Sequence, residues 1–352
     1  MHDARILHSR HPFPEIIQTS WQRCRDRGMS SRLHLVQTPL STAELLRQQE
    51  HNHQLRRLAL REMHLLEHTL ADTGRILLLA NSNGVILDSQ GDTTFLGRAR
   101  KVFLVPGASW QEQVMGTNAI GTAIVERRFM QVIGAEHFVD ENRFLACNAM
   151  PIMSPTARLA GVLNISGNEC ETFSSSGRLV RHAVAHIEHD WVLEVATDLV
   201  VRLHQHPSWL GTPEEGVLGF HDGLLTAASS RALNYLGLGT LAIGAIHWDD
   251  IFYKRPSLGR QELQLHASGL YYADVTRASY ASARIAATEP SHAEPETETL
   301  SLLQDEALRR AVITAKGNLS AAARKLGIHR STLYRRLARR GFPAERSSSS
   351  VV

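Results

Sequence analysis

Apolar residues recur along this chain in two rhythms. Over residues 42–71, Leu45, Leu55, Leu58, Leu65, Leu66 and Leu70 keep helical spacing, which gathers them on one face of a long α-helix. Ser41 and Thr42 offer an N-cap, with Glu44 near the capping-box position. A shorter amphipathic helix is predicted over 15–28, stopped by Gly28. From residue 76 the rhythm changes. Strands are predicted over 76–81 and 85–89, joined by the hairpin turn Asn83–Gly84, and again over 130–134, 147–153 and 159–166. Pro155 to Arg158 turns the last pair, and 110–113 and 116–128 read as helical. Hairpin, helix, then further strands between long helices describe an α+β, sensor-like layout.

Residues 176–203 return to helical spacing through Val180, Val184, Ile187, Trp191, Val195 and Leu199, a seam suited to linking domains or pairing two protomers. Further on, strands are expected over 215–220, 223–228, 262–265 and 269–279, with helices over 232–238 and 248–252. AATEPSHAEPETET, residues 286–299, cannot bury a core and reads as a flexible linker. The predicted chain is thus an α+β multidomain protein. It has N-terminal helices (1–55), an α/β sensor-like unit (56–175), a connecting or dimerisation helix (176–205) and a second α/β unit (206–285). A linker (286–300), an all-α helix-turn-helix (301–342) and a disordered tail (343–352) complete it.

The helix-turn-helix rests on GNLSAAARKLGIHRSTLYRRLARRG, residues 317–341. Ala321, Ala322, Leu326, Ile328, Leu333 and Leu337 supply the apolar positions of a three-helix unit. Gly327 sits where the turn needs a residue tolerant of positive φ. An upstream helix over 302–315 contributes Leu303, Ala307, Leu308, Ala311 and Val312. Charge sharpens this reading. Residues 301–346 hold 11 Lys and Arg against 3 Asp and Glu, whereas the rest of the chain holds 27 against 32. A basic end on a mildly acidic body is the electrostatic footprint of a DNA-binding module.

Composition narrows the class without naming a chemistry. Hydrophobic residues make up 43% and charged residues 21% of 352, as in ordinary globular domains. Cys24, Cys147 and Cys170 form no CxxC pair, so neither a disulfide framework nor a zinc cluster is expected. His182, His186 and His189 lie near one helical face. With no cysteine beside them and 19 histidines in the chain, they read as solvent-facing, and no metal or cofactor is expected. MHDARILHSRHPF lacks the apolar core of a signal peptide, and no apolar run approaches the roughly 18 residues of a span. A cytoplasmic, nucleoid-associated protein without membrane contact is expected.

The motifs carry a family resemblance. GNLSAAARKLGIHRSTLYRRL closely resembles the Fis-type helix-turn-helix of bacterial transcription regulators. The resemblance implies that His329, Arg330, Ser331, Thr332, Tyr334, Arg335 and Arg336 face double-stranded DNA, as part of a homodimer on two half-sites. SWQRCRDRG at 20–28 and the long segment at 110–167 resemble the acetoin and dihydroxyacetone-type enhancer-binding regulators. There the second segment would be a GAF-like sensor. GVLGFHDGLLTAASSRALNYLGL, residues 216–238, resembles a PAS-type domain. One departure is large: those regulators carry an ATPase domain, and no GxxxxGK[ST] loop occurs in these 352 residues. A regulator that occupies DNA without ATP hydrolysis, as repressor or simple recruiter, is expected.

By the same resemblance Trp110, Thr117, Asn118, Thr122, His137, Phe138, Asn142, Arg143 and Cys147 are the effector-binding candidates. The ligand would be a small molecule in a polar-dotted apolar pocket, or a regulatory protein docked on the GAF or PAS region. Asn118 and Thr122 equally suit local backbone capping. Two alternatives stand beside the regulator: a GAF-type redox enzyme using Cys147 with His137, and a nucleoid-type architectural protein. Strand burial of Cys147 weighs against the first, and two sensor-like units against the second.

Overall fold

The computed structural model describes residues 13–32, 37–70, 73–168, 174–239, 243–266 and 269–278. The predicted linker, helix-turn-helix and tail lie outside the described residues, as do all seven DNA-binding candidates. The described residues form two α/β units preceded by helices.

The chain enters through α1 (Glu15–Asp26), α2 (Thr42–His51) and α3 (His53–Leu70). Ser41 caps α2 in a full capping box: its Oγ accepts from the Glu44 amide, and the Glu44 carboxylate accepts from the Ser41 amide at 2.9 Å. The single helix expected over 42–71 is two helices, divided at Asn52. Asn52 leaves helical geometry at φ −103° and ψ 24°, and its side chain donates to the Gln48 carbonyl at 2.7 Å, which its own amide also reaches.

A five-stranded antiparallel sheet follows: β1 (Arg75–Asn81), β2 (Ile86–Gly91), β3 (Met130–Ile133), β4 (Leu145–Met153) and β5 (Leu159–Asn168), in the order β2-β1-β5-β4-β3. β1 is buried along its whole length, which is why its sequence is a continuous apolar run rather than an alternation. Gly84 turns the first hairpin at φ +72°, and an added Cβ would meet Gln111 and Ile124 at 3.1–3.3 Å. Side chains alternate between two cores. Ile76, Leu78 and Cys147 face α4 (Thr93–Lys101), α5 (Glu112–Met115) and α6 (Ala119–Glu126) on one side. Leu77, Leu79 and Leu163 face α3 and α7 (Ser174–Val195) on the other. The expected helices over 110–113 and 116–128 are α5 and α6, both starting later, and α4 has no counterpart among the expected elements.

The largest correction concerns the connecting helix. The seam expected to run to residue 203 ends at Val195, and Leu199–His204 is a strand, β6. It is also the middle strand of the second sheet, so that sheet reaches back past the expected boundary at 206. Its other strands are β7 (Gly216–His221), β8 (Leu224–Ala228), β9 (Gly259–Leu265) and β10 (Gly269–Arg277), all antiparallel, in the order β8-β7-β6-β10-β9. α8 (Ser230–Leu236) and α9 (Trp248–Ile251) lie between β8 and β9 in the chain. Val201, Leu218, Phe220, Leu233 and Tyr271 share one core. On the opposite face Val192 and Ala196 meet Val200 and Val217. Helix α7 thus seats Val180 to Trp191 in one sheet's core, while Val192 and the following Ala196 meet the other's.

Candidate functional site

The two motifs singled out in the first half, 20–28 and 110–122, meet face to face. Their meeting point is Glu112, at the start of α5 and 3% exposed. Arg23 on α1 grips it with two parallel bonds, Nε to Oε1 at 2.7 Å and Nη2 to Oε2 at 2.8 Å. The Ser20 hydroxyl donates to Oε2 at 2.7 Å, Thr122 reaches the same oxygen at 3.3 Å, and Arg27 adds a contact at 3.3 Å. Burial alone would raise the Glu112 carboxyl. The Arg23 guanidinium and the Ser20 hydroxyl outweigh it and hold the group below its ordinary range. Arg23 also meets Glu126 at 2.8 Å, so α1 is pinned to both ends of the α5–α6 segment.

Four effector candidates belong to this knot. Thr117 and Thr122 are fully buried, and both hydroxyls lie within reach of Ser20 Oγ, at 2.8 and 3.4 Å. Asn118 is the N-cap of α6: its Oδ1 accepts from the Gly121 amide at 2.8 Å, and its Nδ2 donates to the Trp110 and Gly116 carbonyls. Gly121 is fixed by this closeness, since a Cβ there would stand 2.4 Å from the Glu112 amide nitrogen. Trp110 is 1% exposed and donates its indole N–H to the Phe103 carbonyl at 2.8 Å. Asn118→Ala removes the cap and leaves two carbonyls with one donor fewer. The expected destabilisation is about 2 kcal/mol, read as a lowered urea midpoint; a midpoint equal to that of the parent would show that the cap carries no weight.

Four others lie on the loop between β3 and β4, which crosses α1. Trp21 donates to the Glu136 carbonyl at 2.8 Å, and Phe138 meets the Trp21 ring edge-on at 5.1 Å. The Phe138 amide donates to the Thr117 carbonyl at 3.2 Å, joining loop and knot. His137 is fully buried, with Nδ1 on the Gly134 carbonyl at 3.1 Å and Nε2 unpartnered among the described residues. Burial and the Arg143 charge lower its pKa to about 4, so the imidazole is neutral. Asn142 is fully buried, with both side-chain polar atoms unpartnered among the described residues. Arg143 is half-exposed and pairs with Asp140 at 2.8 Å.

Cys147 stands apart, on β4. Its thiol contacts the Ser166 hydroxyl at 3.2 Å, and burial pushes its pKa up to about 12. A thiol so far from thiolate formation at neutral pH is a poor nucleophile, which weakens the redox-enzyme alternative. None of the nine candidates lines any of four surface cavities among the described residues. Sequence reasoning missed Glu112, although it lies inside the quoted segment; its signal was an acidic residue in a first helical turn with arginines at Arg23 and Arg27. Among the described residues no group of three His, Cys, Asp or Glu is placed to hold a metal ion, and no helix is long and apolar enough to cross a membrane.

Comparison with known proteins places residues 13–188 in the family described as MimR, N-terminal domain, and residues 299–339 in the family described as bacterial regulatory protein, Fis family. The acetoin catabolism regulatory protein of Cupriavidus necator is 28% identical over 234 residues, 64% of this chain and 35% of that protein. The propane 2-monooxygenase operon transcriptional activator MimR of Mycolicibacterium smegmatis is 31% identical over 152 residues, 43% of this chain and 25% of that protein. This chain spans 25–40% of the length of the curated relatives it matches. Among solved structures, the Escherichia coli DhaR(N)–DhaL complex aligns over 74% of this chain and 99% of that one, at 15% identity and a TM-score of 0.48.

Proposed function

Because the chain belongs to the family of the MimR N-terminal domain, and carries a Fis-family segment behind it, we propose that it is a DNA-binding transcriptional regulator rather than an enzyme. Its first half receives a metabolite or a partner protein. The observation that carries the reading is the Fis-family match over residues 299–339, on a stretch that is strongly basic while the rest of the chain is mildly acidic. His329, Arg330, Ser331, Thr332, Tyr334, Arg335 and Arg336 are the DNA-facing residues of this reading. A homodimer sets two such segments on two half-sites about one helical turn apart, in the cytoplasm, at the nucleoid.

In this reading the first sheet with its helices is the GAF-like unit and the second the PAS-like unit. The element order of the first, a hairpin, three helices and three antiparallel strands, supports the former. The hairpin β7–β8 leading into α8 supports the latter, with β6 as an added central strand. Of the nine effector candidates, Thr117, Thr122 and Phe138 touch α1, and through them an effector acts: a ligand or partner that favours one arrangement of α1 shifts the population toward it. Regulation proceeds without ATP hydrolysis by these 352 residues, a reading supported by the lack of any GxxxxGK[ST] loop in them.

The test is direct. Arg330→Ala and Arg335→Ala are each expected to weaken operator binding by about 1–3 kcal/mol. An arginine on a base edge relaxes specificity at one position; one on phosphate lowers the salt slope. Gel shifts indistinguishable from the parent in both variants would contradict the assignment.

A further inference from the structure

The largest of the four cavities, 1140 Å³, is a cleft between the two sheets. One wall is the end of α6 with the β4–β5 turn; the other is α8 and the residues after it. Three arginines line it, Arg127, Arg128 and Arg158, and no Asp or Glu does. Among the described residues none of the three meets a carboxylate, whereas Arg23, Arg56, Arg57 and Arg202 each do. Asn83, Ser230 and Asn234 add neutral hydrogen-bonding groups, and Phe129, Met150 and Leu233 an apolar floor.

The backbone points the same way. Arg127 closes α6 in the left-handed region, φ +53°, a position where glycine is favoured because it has no Cβ to crowd. Arg127 stands there exposed and with no ion partner among the described residues. The cleft is also wired to both units. On α7, the Glu188 carboxylate accepts from the Met153 amide at 2.8 Å and from the Ser230 amide at 3.0 Å. These residues sit on opposite walls. The Ala228 amide donates to the Pro155 carbonyl at 2.9 Å across the same junction.

We propose that this cleft is a binding site for a small organic anion carrying at least two acidic groups on a partly apolar frame, held by Arg127, Arg128 and Arg158. The site is separate from the nine buried effector candidates and stands whether or not the DNA-binding reading holds. Three cations line one cleft with no acid beside them in its lining, and planar guanidinium groups match carboxylate and phosphate geometry. Because the walls come from both units, occupation couples to their relative placement.

The test uses the full chain and isothermal titration, with succinate and citrate as the carboxylate arm, fructose 1,6-bisphosphate as the phosphate arm, and 2,3-butanediol as a neutral control. At least one arm is expected to bind below about 1 mM while the diol is silent, and the responding arm identifies the acid. Arg127→Gln with Arg158→Gln should weaken that binding about a hundredfold, taking each charge-assisted contact as about tenfold. Both groups are exposed and without ion partners among the described residues, so the melting temperature of the ligand-free double variant should match the parent. Silence of both arms, equal binding of the diol, or unchanged affinity in the double variant overturns the proposal. Operator retention by the parent protein is measured in parallel, so a failure here is distinguishable from a failure of the regulator reading.

Discussion

Replacing Glu112 by alanine will destabilise the amino-terminal unit by about 2–3 kcal/mol, below the about 3–5 kcal/mol for breaking a fully buried ion pair because Arg23 is 24% exposed and keeps Glu126. The carboxylate is 3% exposed and takes bonds from Arg23, Arg27, Ser20 and Thr122. Without it, Arg23 keeps only Glu126, and the Ser20, Thr117 and Thr122 hydroxyls must satisfy one another. Segment 13–32 should then detach before the rest unfolds. The urea midpoint reads the first effect, and the rate at which trypsin cuts at Arg23, Arg25 and Arg27 reads the second. Glu112→Leu combined with Arg23→Met should recover much of the loss, since apolar replacement of a whole buried pair is often neutral. A midpoint shift below about 1 kcal/mol for Glu112→Ala, with unchanged trypsin sensitivity, would show that α1 is held by its apolar face alone.

Acid will weaken the same half of the molecule, with His137 as a main cause. Its pKa falls from 6.5 to about 4 on folding, so between those values the unfolded chain binds a proton that the folded chain refuses. Stability due to this group is therefore complete above pH 6.5 and declines as pH drops toward 4. The shift corresponds to about 3 kcal/mol. Glu62 opposes the trend: burial and Asp190 raise its pKa to about 7, so the folded state holds its proton and loses stability as pH rises from 4.5 to 7. His186, lowered to about 4 by burial and by His182, adds to the His137 effect. A difference measurement isolates the residue. Unfolding free energies of the parent and of His137→Gln, taken between pH 4 and 7, should diverge in slope, the variant being flatter. Parallel curves would mean that His137 is not held neutral by the fold.

The local signals that sequence reading recovered share a cause: their chemistry is settled within a few residues. The Ser41–Glu44 box, the Asn83–Gly84 turn and the buried run of β1 all declare themselves in their own neighbourhood. The missed features are settled at a distance. Leu199 continues the helical spacing of Val195 and Trp191, and no glycine or proline separates them. Only pairing with Gly216–His221 and Gly269–Arg277 makes Leu199–His204 a strand, although the Val200–Val201 pair carried a weak β-branched signal. The polar knot was half legible: Thr117, Asn118 and Thr122 could be singled out, but Ser20, the partner of the two threonines, lies about a hundred residues away, a distance that no local pattern spans.

Helix α7 has a consequence of phase. Val180, Val184 and Ile187 are seated in one core and Val192 and Ala196 in the other, with Glu188 and His189 between them. An α-helix turns about 100° and advances about 1.5 Å per residue. A single residue inserted between Ile187 and Val192 would swing one anchor by more than a quarter of a circle, whereas seven residues would return it to within about 20° of its azimuth, some 10 Å farther along. Azimuth alone would tolerate a heptad, but the advance of about 10 Å would part Ala228 from Pro155 and Glu188 from one of its two amides, so the length of this helix is fixed by both units at once.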